Sequence, residues 1–306
     1  MSGNWCQLTY LKYLNGLSRI NYYIRNVTEL LKNSLLCKIL YNLSKNFMKN
    51  LIENGWENNL LNEEIKNAAK TTLDLLNRGE VVICEKIDGA WVVNDWIRKA
   101  ILLYFRTTDS CIMEGNFFDK IPLKFTNWDE NQFRVANIRV VPGAIVRSGV
   151  YLSSGVVVMP SFINVGVFVG KNSMIDINST LGSCCYIGDS CHIGAGTVIG
   201  GVLEPLHDKP TIVENDVFIG ACCSITSGVI VGEGAVIAPG THISAATRIY
   251  DSTTGSISYG VIPKQSVVVS GMLPREDGMH IASAIIVKYV DSDTRKKVGI
   301  NNLLRY

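Results

Sequence analysis

The chain has 306 residues, enough for two or three domains, and 29 Lys+Arg against 27 Asp+Glu leave it close to neutral at +2. No basic cluster stands out, which disfavours nucleic-acid binding, and no apolar run is long enough to span a bilayer. The first residues lack a charged-then-apolar leader pattern, so a cytoplasmic location without membrane attachment is expected.

Residues 1–60 are read as a helical extension, with Ile24, Val27, Leu31 and Leu35 forming one apolar stripe. Ile65, Ala69, Leu73 and Leu76 form a second, ending at the turn Asn77-Arg78-Gly79. VVICEKIDGAWV (81–92) reads as a hairpin turning at Asp88-Gly89, and Asn94 is placed to cap a helix over Asp95–Phe105. Residues 61–136 are thus a small α+β domain.

From 145 to 248 an aliphatic residue returns every sixth position. Ile145, Val157, Ile163, Val169, Ile175, Leu181, Ile187, Ile193 and Ile199 share one register, with Tyr151 as an aromatic substitute; Val213, Ile219, Ile225, Val231, Ile237 and Ile243 resume it. Six fits neither a helix nor an alternating strand, so the segment is a hexapeptide-repeat parallel β-helix, expected over 137–252. Gly often follows the aliphatic residue (Gly170, Gly182, Gly188, Gly194, Gly200, Gly220, Gly232) and is read as backbone freedom for the corner. Four residues after the aliphatic comes a small inward residue, such as Ser161, Ser173, Ser179, Thr197, Ala235, Thr241 or Thr247. Three hexads close a triangular coil, giving about five coils and a prism roughly 25 Å tall. GVLEPLHDKPTI (201–212), with two prolines, leaves the register and must bulge as a loop, where repeat proteins tend to place function. Residues 253–306 then cap the open end: 266–271 and 283–291 read as strands and Thr294–Arg305 as a closing helix.

Of the nine cysteines, Cys185, Cys191 and Cys223 fall in the small inward slot, where a thiol is an apolar filler. No C-x-x-C pair occurs, and no metal site is expected.

Eight stretches in order resemble the tetrahydrodipicolinate N-succinyltransferase family. They are EKIDGAW (85–91), FDKIPLKF (118–125), RVVPGAIVR (139–147), MPSFINVG (159–166), GGVLEPL (200–206), ATRIYD (246–251), SVVVSG (266–271) and KVGINNLLR (297–305). The likeness runs from about residue 65 to the C-terminus, and GGVLEPL, RVVPG and KVGIN, which are not repeat consensus, make it specific. It implies a mainly β protein: a left-handed β-helix with an N-terminal helical α+β domain and a short β/helix cap. It also implies succinyl transfer from succinyl-CoA, a co-substrate rather than a resident cofactor, to the amine of 2-amino-6-oxopimelate, the ring-opened hydrate of tetrahydrodipicolinate. That reaction belongs to diaminopimelate and lysine biosynthesis. A homotrimer with active sites between subunits follows from the same resemblance.

The chemistry needs a holder for a diacid, a proton acceptor, a donor to the thioester oxyanion and a groove for pantetheine. Arg139, in I-R-V-V-P, matches the family's carboxylate-binding position, and a guanidinium is shaped for that anion. Asp176, in M-I-D-I-N-S-T, matches the family's active-site Asp, though on an isolated prism it is an ordinary turn residue. Ser224 marks a departure. Where the family reads close to I-G-A-R-S-E-V, this chain has I-G-A-C-C-S-I, so Cys222 replaces Arg and Ser224 replaces Glu. A hydroxyl cannot act as a carboxylate base. Three weaker candidates are His192, whose imidazole suits a base, Glu204 in the V-L-E-P loop, and Arg248, which could meet CoA phosphates. Backbone amides serving pantetheine leave no side-chain signature.

The nearest rival is another acyl-CoA-dependent hexapeptide transferase with serine or an amino sugar as acceptor. A γ-type carbonic anhydrase needs three His ligands, two close together, whereas His192, His207, His242 and His280 are far apart. A non-catalytic scaffold would release no thiol from any acyl donor.

Overall fold

The computed structural model describes residues 35–113, 115–206 and 209–290, with side chains from residue 45 onward. The stripe at Ile24, Val27 and Leu31 and the expected closing helix Thr294–Arg305 lie outside the described residues.

The N-terminal part packs α1 (Leu35–Glu57), α2 (Glu63–Asn77) and α3 (Asp95–Thr107) around one core. In α2 the Asn62 side chain accepts the Ile65 amide at 3.0 Å, and Glu63 and Glu64 face the positive helix end. Its stripe Ile65, Ala69, Leu73 and Leu76 is buried as the periodicity requires. Strands β1 (Cys84–Ile87) and β2 (Ala90–Val93) turn at Asp88 and Gly89, both with positive φ, which matches the twist of a two-residue hairpin. Asn94 precedes α3 but its side chain makes no cap bond. Its amide instead donates to Val82 O (3.0 Å) and Glu85 Oε1 (2.8 Å), fixing the foot of the hairpin. A second hairpin, β3 (Cys111–Met113) with β4 (Phe117–Asp119), and α4 (Glu130–Ala136) lead into the prism.

Short strands stack into three sheets that form the faces of the prism, called here the Arg139, Ile145 and Tyr151 faces after the residue that begins each. The register differs from the hexad count at the start. Ile163 pairs with Val146 and Ile175 with Val158, so Val146, Leu152 and Val158 point inward, while Ile145, Tyr151 and Val157 point outward. Only five steps separate Val158 from Ile163, and Pro160 occupies the shortened corner. The apolar doublets Ile145-Val146, Tyr151-Leu152 and Val157-Val158 conceal the slip. From Ile163 upward the six-residue spacing holds, except that eight extra residues lie between Ile199 and Val213. The ladder also continues beyond 252: Val261–Ile262 stacks on Ile230–Val231, and Val267–Val268 on Val236–Ile237. The Arg139 face therefore has seven parallel rungs, about 29 Å at ~4.8 Å per step, taller than the hexads alone imply.

The glycines that follow the aliphatic positions do not supply corner freedom. A Cβ on Gly182 would lie 2.2 Å from the Gly201 nitrogen, and one on Gly194 2.7 Å from the Gly220 carbonyl carbon. They are glycine because successive coils pass too close for a side chain. Positive φ falls two residues later, at Asn172, Asn178, Cys184, Ser190 and Cys222 among others.

The interior is a column of aliphatic residues with the small slots between them. Small hydroxyl residues fit because the next coil offers a carbonyl: Ser173 Oγ donates to Gly188 O at 2.7 Å and Thr197 Oγ1 to Gly220 O at 2.9 Å. Cys185, Cys191 and Cys223 lie in the same core, and burial pushes the Cys191 thiol up to about 12, far from a reactive thiolate. Phe125, Trp128 and Phe133, with ring centroids 5.0–5.2 Å apart, close the lower end. The upper end is closed by an antiparallel hairpin, Ser266–Pro274 with His280–Tyr289, which buries Ala284 and Ile286.

The helical domain covers the Tyr151 face. Tyr186, Ile212 and Ile230 pack into its core, and the Trp91 ring sits 4.9 Å from Tyr186. Glu214 accepts from Lys86 Nζ, from Trp91 Nε1 (2.9 Å) and from the Glu233 amide (3.0 Å). Lys124 Nζ donates to Asn77 O (3.0 Å) and Val150 O (2.7 Å), joining the end of α2 to the first coil. The Ile145 face stays open, with Ile145, Val198 and His242 exposed.

Candidate active site

Pairing sets which side chains can meet. Outward on the Arg139 face run Arg139, Val157, Met174, His192, Phe218 and Val236. Outward on the Ile145 face run Phe162, Thr180, Val198, Ser224 and His242. Asp176 follows Met174–Ile175 and so stands on the corner between these two faces. Its amide donates to Ile193 O at 2.9 Å, and its Oδ1 accepts the Ile177 amide at 2.7 Å. That local bond sets the side-chain direction and leaves Oδ2 without a partner among the described residues. Arg139 begins its face two rungs below, about 10 Å along the axis. The structure thus places Arg139 and Asp176 on adjoining surfaces of one chain, two rungs apart along the axis.

Directly above Asp176 on the same corner lie Gly194-Ala195-Gly196 and then Gly220-Ala221-Cys222. The amides of Ala195 and Ala221 donate to no group among the described residues. The corner between the Tyr151 and Arg139 faces is different: the Lys171 amide is capped by Asp189 Oδ1 (2.7 Å) and the Asp189 amide by Asn215 Oδ1 (2.9 Å). The Asp176 corner combines small side chains, open donors and a carboxylate, which suits an extended ligand carrying carbonyls.

The other candidates are scattered. His192 is one rung above Met174, its ring stacked on Phe218 at 4.8 Å and 7°. Ser224 lies two rungs above Thr180 on the Ile145 face, away from Asp176 of its own chain. Glu204 belongs to another edge. The insertion leaves between the Ile145 and Tyr151 faces and folds onto the helical domain, where Leu203 packs on the second core. Glu204 there lines a shallow open cavity with Trp56, Leu102, Pro205 and Leu206. Arg248 opens the strand Arg248–Asp251, which pairs with the closing hairpin at Ser283, six ladder positions from the strand that precedes Asp176.

Two residues that hold the insertion and the helical domain on the prism were not singled out by sequence. Arg98, 2 % exposed, pairs with Asp95 and donates to Leu206 O, pinning the insertion; a mid-helix Arg carries no signal of that. Glu214 does leave a trace, since it stands where Gly170, Gly188 and Gly232 stand in other coils. Burial alone would raise its pKa, but the bonds from Lys86, Trp91 and the Glu233 amide hold it below the usual carboxylate value.

The chain is similar to known proteins over most of its length. A family model described as tetrahydrodipicolinate N-succinyltransferase N-terminal matches residues 47–107. A bacterial transferase hexapeptide model matches 166–201 and 210–245, and the gap between them falls on the insertion. The 2,3,4,5-tetrahydropyridine-2,6-dicarboxylate N-succinyltransferase of Alkalilimnicola ehrlichii is 56 % identical over 245 residues, covering 79 % of this chain and 90 % of that protein. Its namesake from Psychrobacter cryohalolentis is 54 % identical, covering 79 % and 91 %. That of Pectobacterium atrosepticum is 50 % identical, covering 78 % and 89 %.

Proposed function

The chain belongs to the tetrahydrodipicolinate N-succinyltransferase family, and we propose that Arg139 and Asp176 hold its acceptor while the corner above them receives the acyl donor. Its activity is the succinyl transfer of diaminopimelate and lysine biosynthesis. The amine of 2-amino-6-oxopimelate attacks the thioester carbonyl of succinyl-CoA; the new C–N bond forms as the C–S bond breaks and CoA leaves.

In this reading the Arg139 guanidinium binds one acceptor carboxylate and Asp176 orients the ammonium and draws off a proton. The open amides of Ala195 and Ala221 bond the pantetheine carbonyls and the thioester oxygen as it gains charge. Arg248, beside the closing hairpin, meets a CoA phosphate at the far end of the pantetheine arm. His192, flat against Phe218, forms a wall of the groove. CoA is a passing co-substrate, and the working form is a cytoplasmic homotrimer whose sites lie between neighbouring prisms. The uncovered Ile145 face supports that assembly, because Ile145 and Val198 on it and Ile177 on its corner are each more than a third exposed.

The observation that carries the reading is the Asp176 carboxylate on a corner lined by small residues with unpaired amides. The test follows thiol release from purified protein given succinyl-CoA or acetyl-CoA, with the diacid amine, serine or an amino sugar as acceptor. Release only with succinyl-CoA and the diacid is expected; preference for serine or a sugar selects the rival transferase. Asp176→Asn should lower turnover by about 10²-fold or more with the assembly intact. Near-normal turnover would exclude Asp176 as the key carboxylate.

A further inference from the structure

We propose that Pro239 is a positioning residue: it ends a row of backbone donors on the Asp176 corner and so fixes the rung on which the acyl-CoA arm sits. The inference rests on the acyl-transfer reading above. Strand pairing on the Arg139 face stacks six residues at the middle of this corner, Pro142, Pro160, Ile177, Ala195, Ala221 and Pro239. Their carbonyls serve the coil above: Gly196 N donates to Ile177 O at 2.9 Å, Cys222 N to Ala195 O at 2.8 Å and Gly240 N to Ala221 O at 2.9 Å. What a middle residue offers a ligand is therefore its amide. Three of the six are proline and have none. The Ile177 amide is taken by Asp176 Oδ1 at 2.7 Å. Ala195 and Ala221 remain, two donors on adjacent rungs with a closed position on either side.

The turn itself does not call for proline. The same middle position on the other two corners is held by Lys171 and Asp189 on one and by Ser183 and Ser227 on the other, and proline stands at none of its levels there. Yet of the eight prolines in the chain three fall on this single column. Pro239 is exposed, so its ring closes the rung on the side from which a ligand approaches. Gly220 beneath it makes room for that ring, since a Cβ there would lie 2.7 Å from Pro239 Cδ.

A repeating column poses a problem that a single pocket does not. Every coil offers the same backbone, so an arm studded with carbonyls could bind at any level. Here the thioester oxygen takes the Ala195 amide, one rung above Asp176, and the next carbonyl of the arm takes Ala221. An arm slipped upward by one rung carries its thioester about 4.8 Å farther from the carboxylate, well beyond reacting distance. With Pro239 in place that slipped arm keeps one donor of two, and it is on the order of 10-fold less occupied. Pro239 meets no reacting atom; it acts by withholding a hydrogen bond from the wrong seat.

The test uses the full chain with Pro239→Ala, Ala195→Pro and the two combined, measuring CoA affinity by calorimetry and thiol release from succinyl-CoA with the diacid amine. Pro239→Ala opens a second two-donor seat, so the arm divides between them. Both kcat and KM for succinyl-CoA should fall by about twofold with kcat/KM unchanged, whereas a merely loosened corner would lower kcat/KM. Ala195→Pro should fold, because proline already occupies this position in three coils, and should weaken CoA binding about 10-fold and turnover about 10²-fold. Adding Pro239→Ala to it restores two adjacent donors one rung too high. CoA affinity should then return to within about 3-fold of the unaltered protein while turnover stays lost. A double variant that binds CoA no better than Ala195→Pro, or Pro239→Ala with kcat and KM both unchanged, overturns the proposal while the succinyl-transfer reading stands. Unaltered protein that neither binds CoA nor releases thiol with any amine overturns both.

Discussion

Glu214 shows how one side chain can carry a pH dependence. Its folded pKa lies below the usual value because three donors outweigh the effect of burial. Its contribution to stability is therefore fully present above the unfolded pKa, near 4.3, and is lost as pH falls through the depressed folded value. Glu214→Gln should cost about 1–2 kcal/mol at pH 7, the Lys86 end of the pair being partly solvated, and should flatten the fall in melting temperature below pH 4. Gly182 offers a sterner case. An added methyl meets backbone, not a yielding side chain, so Gly182→Ala should destabilise by more than about 2 kcal/mol in denaturant melts. Ser224→Glu tests the departure from the family pattern: unchanged turnover would deny position 224 any part in proton transfer.

At the scale of elements, the insertion is held at two points, by Leu203 in the helical core and by the buried Arg98 on Leu206 O. Arg98→Met keeps the bulk but leaves that carbonyl unpaired, so it should cost about 2–3 kcal/mol and open the loop to limited proteolysis between 201 and 212. This anchoring also shows where sequence stopped being legible. The solenoid was readable because its six-residue period is a backbone property; counting hexads also puts Asp176 on a turn, while its proposed role rests on the family resemblance. The slip at Pro160 was hidden by neighbouring apolar pairs that satisfy either register. The edge on which the insertion lands was hidden because nothing local in GVLEPL names its receptor. The role of the post-aliphatic glycines was misread for a related reason: close approach of coils is a tertiary fact, while corner freedom is what a glycine suggests locally.

On the scale of the whole molecule, each of the three faces has its own fate. The Tyr151 face is occupied by the helical domain, the Arg139 face carries the guanidinium and the stacked His192, and the Ile145 face remains open. If the open face meets a neighbour, Val198→Lys, a charge placed on an outward residue 41 % exposed, should shift sedimentation from about three times the 33.7 kDa chain toward one. Turnover should be lost in parallel if the sites lie between neighbouring prisms, as proposed.

The shortened turn at Pro160 limits how this column can be rebuilt. Between Val169 and Ile187 a full circuit takes eighteen residues, whereas the circuit from Val158 to Ile175 takes seventeen. Excising a circuit above Pro160 in units of eighteen keeps every aliphatic over its predecessor and should yield a shorter, still folded protein. The same excision placed across Pro160 shifts each later residue by one step, turning Ile and Val out to water and their polar neighbours in. Length variants made by deletion should therefore sort into soluble and aggregating sets according to the side of that proline on which the cut begins.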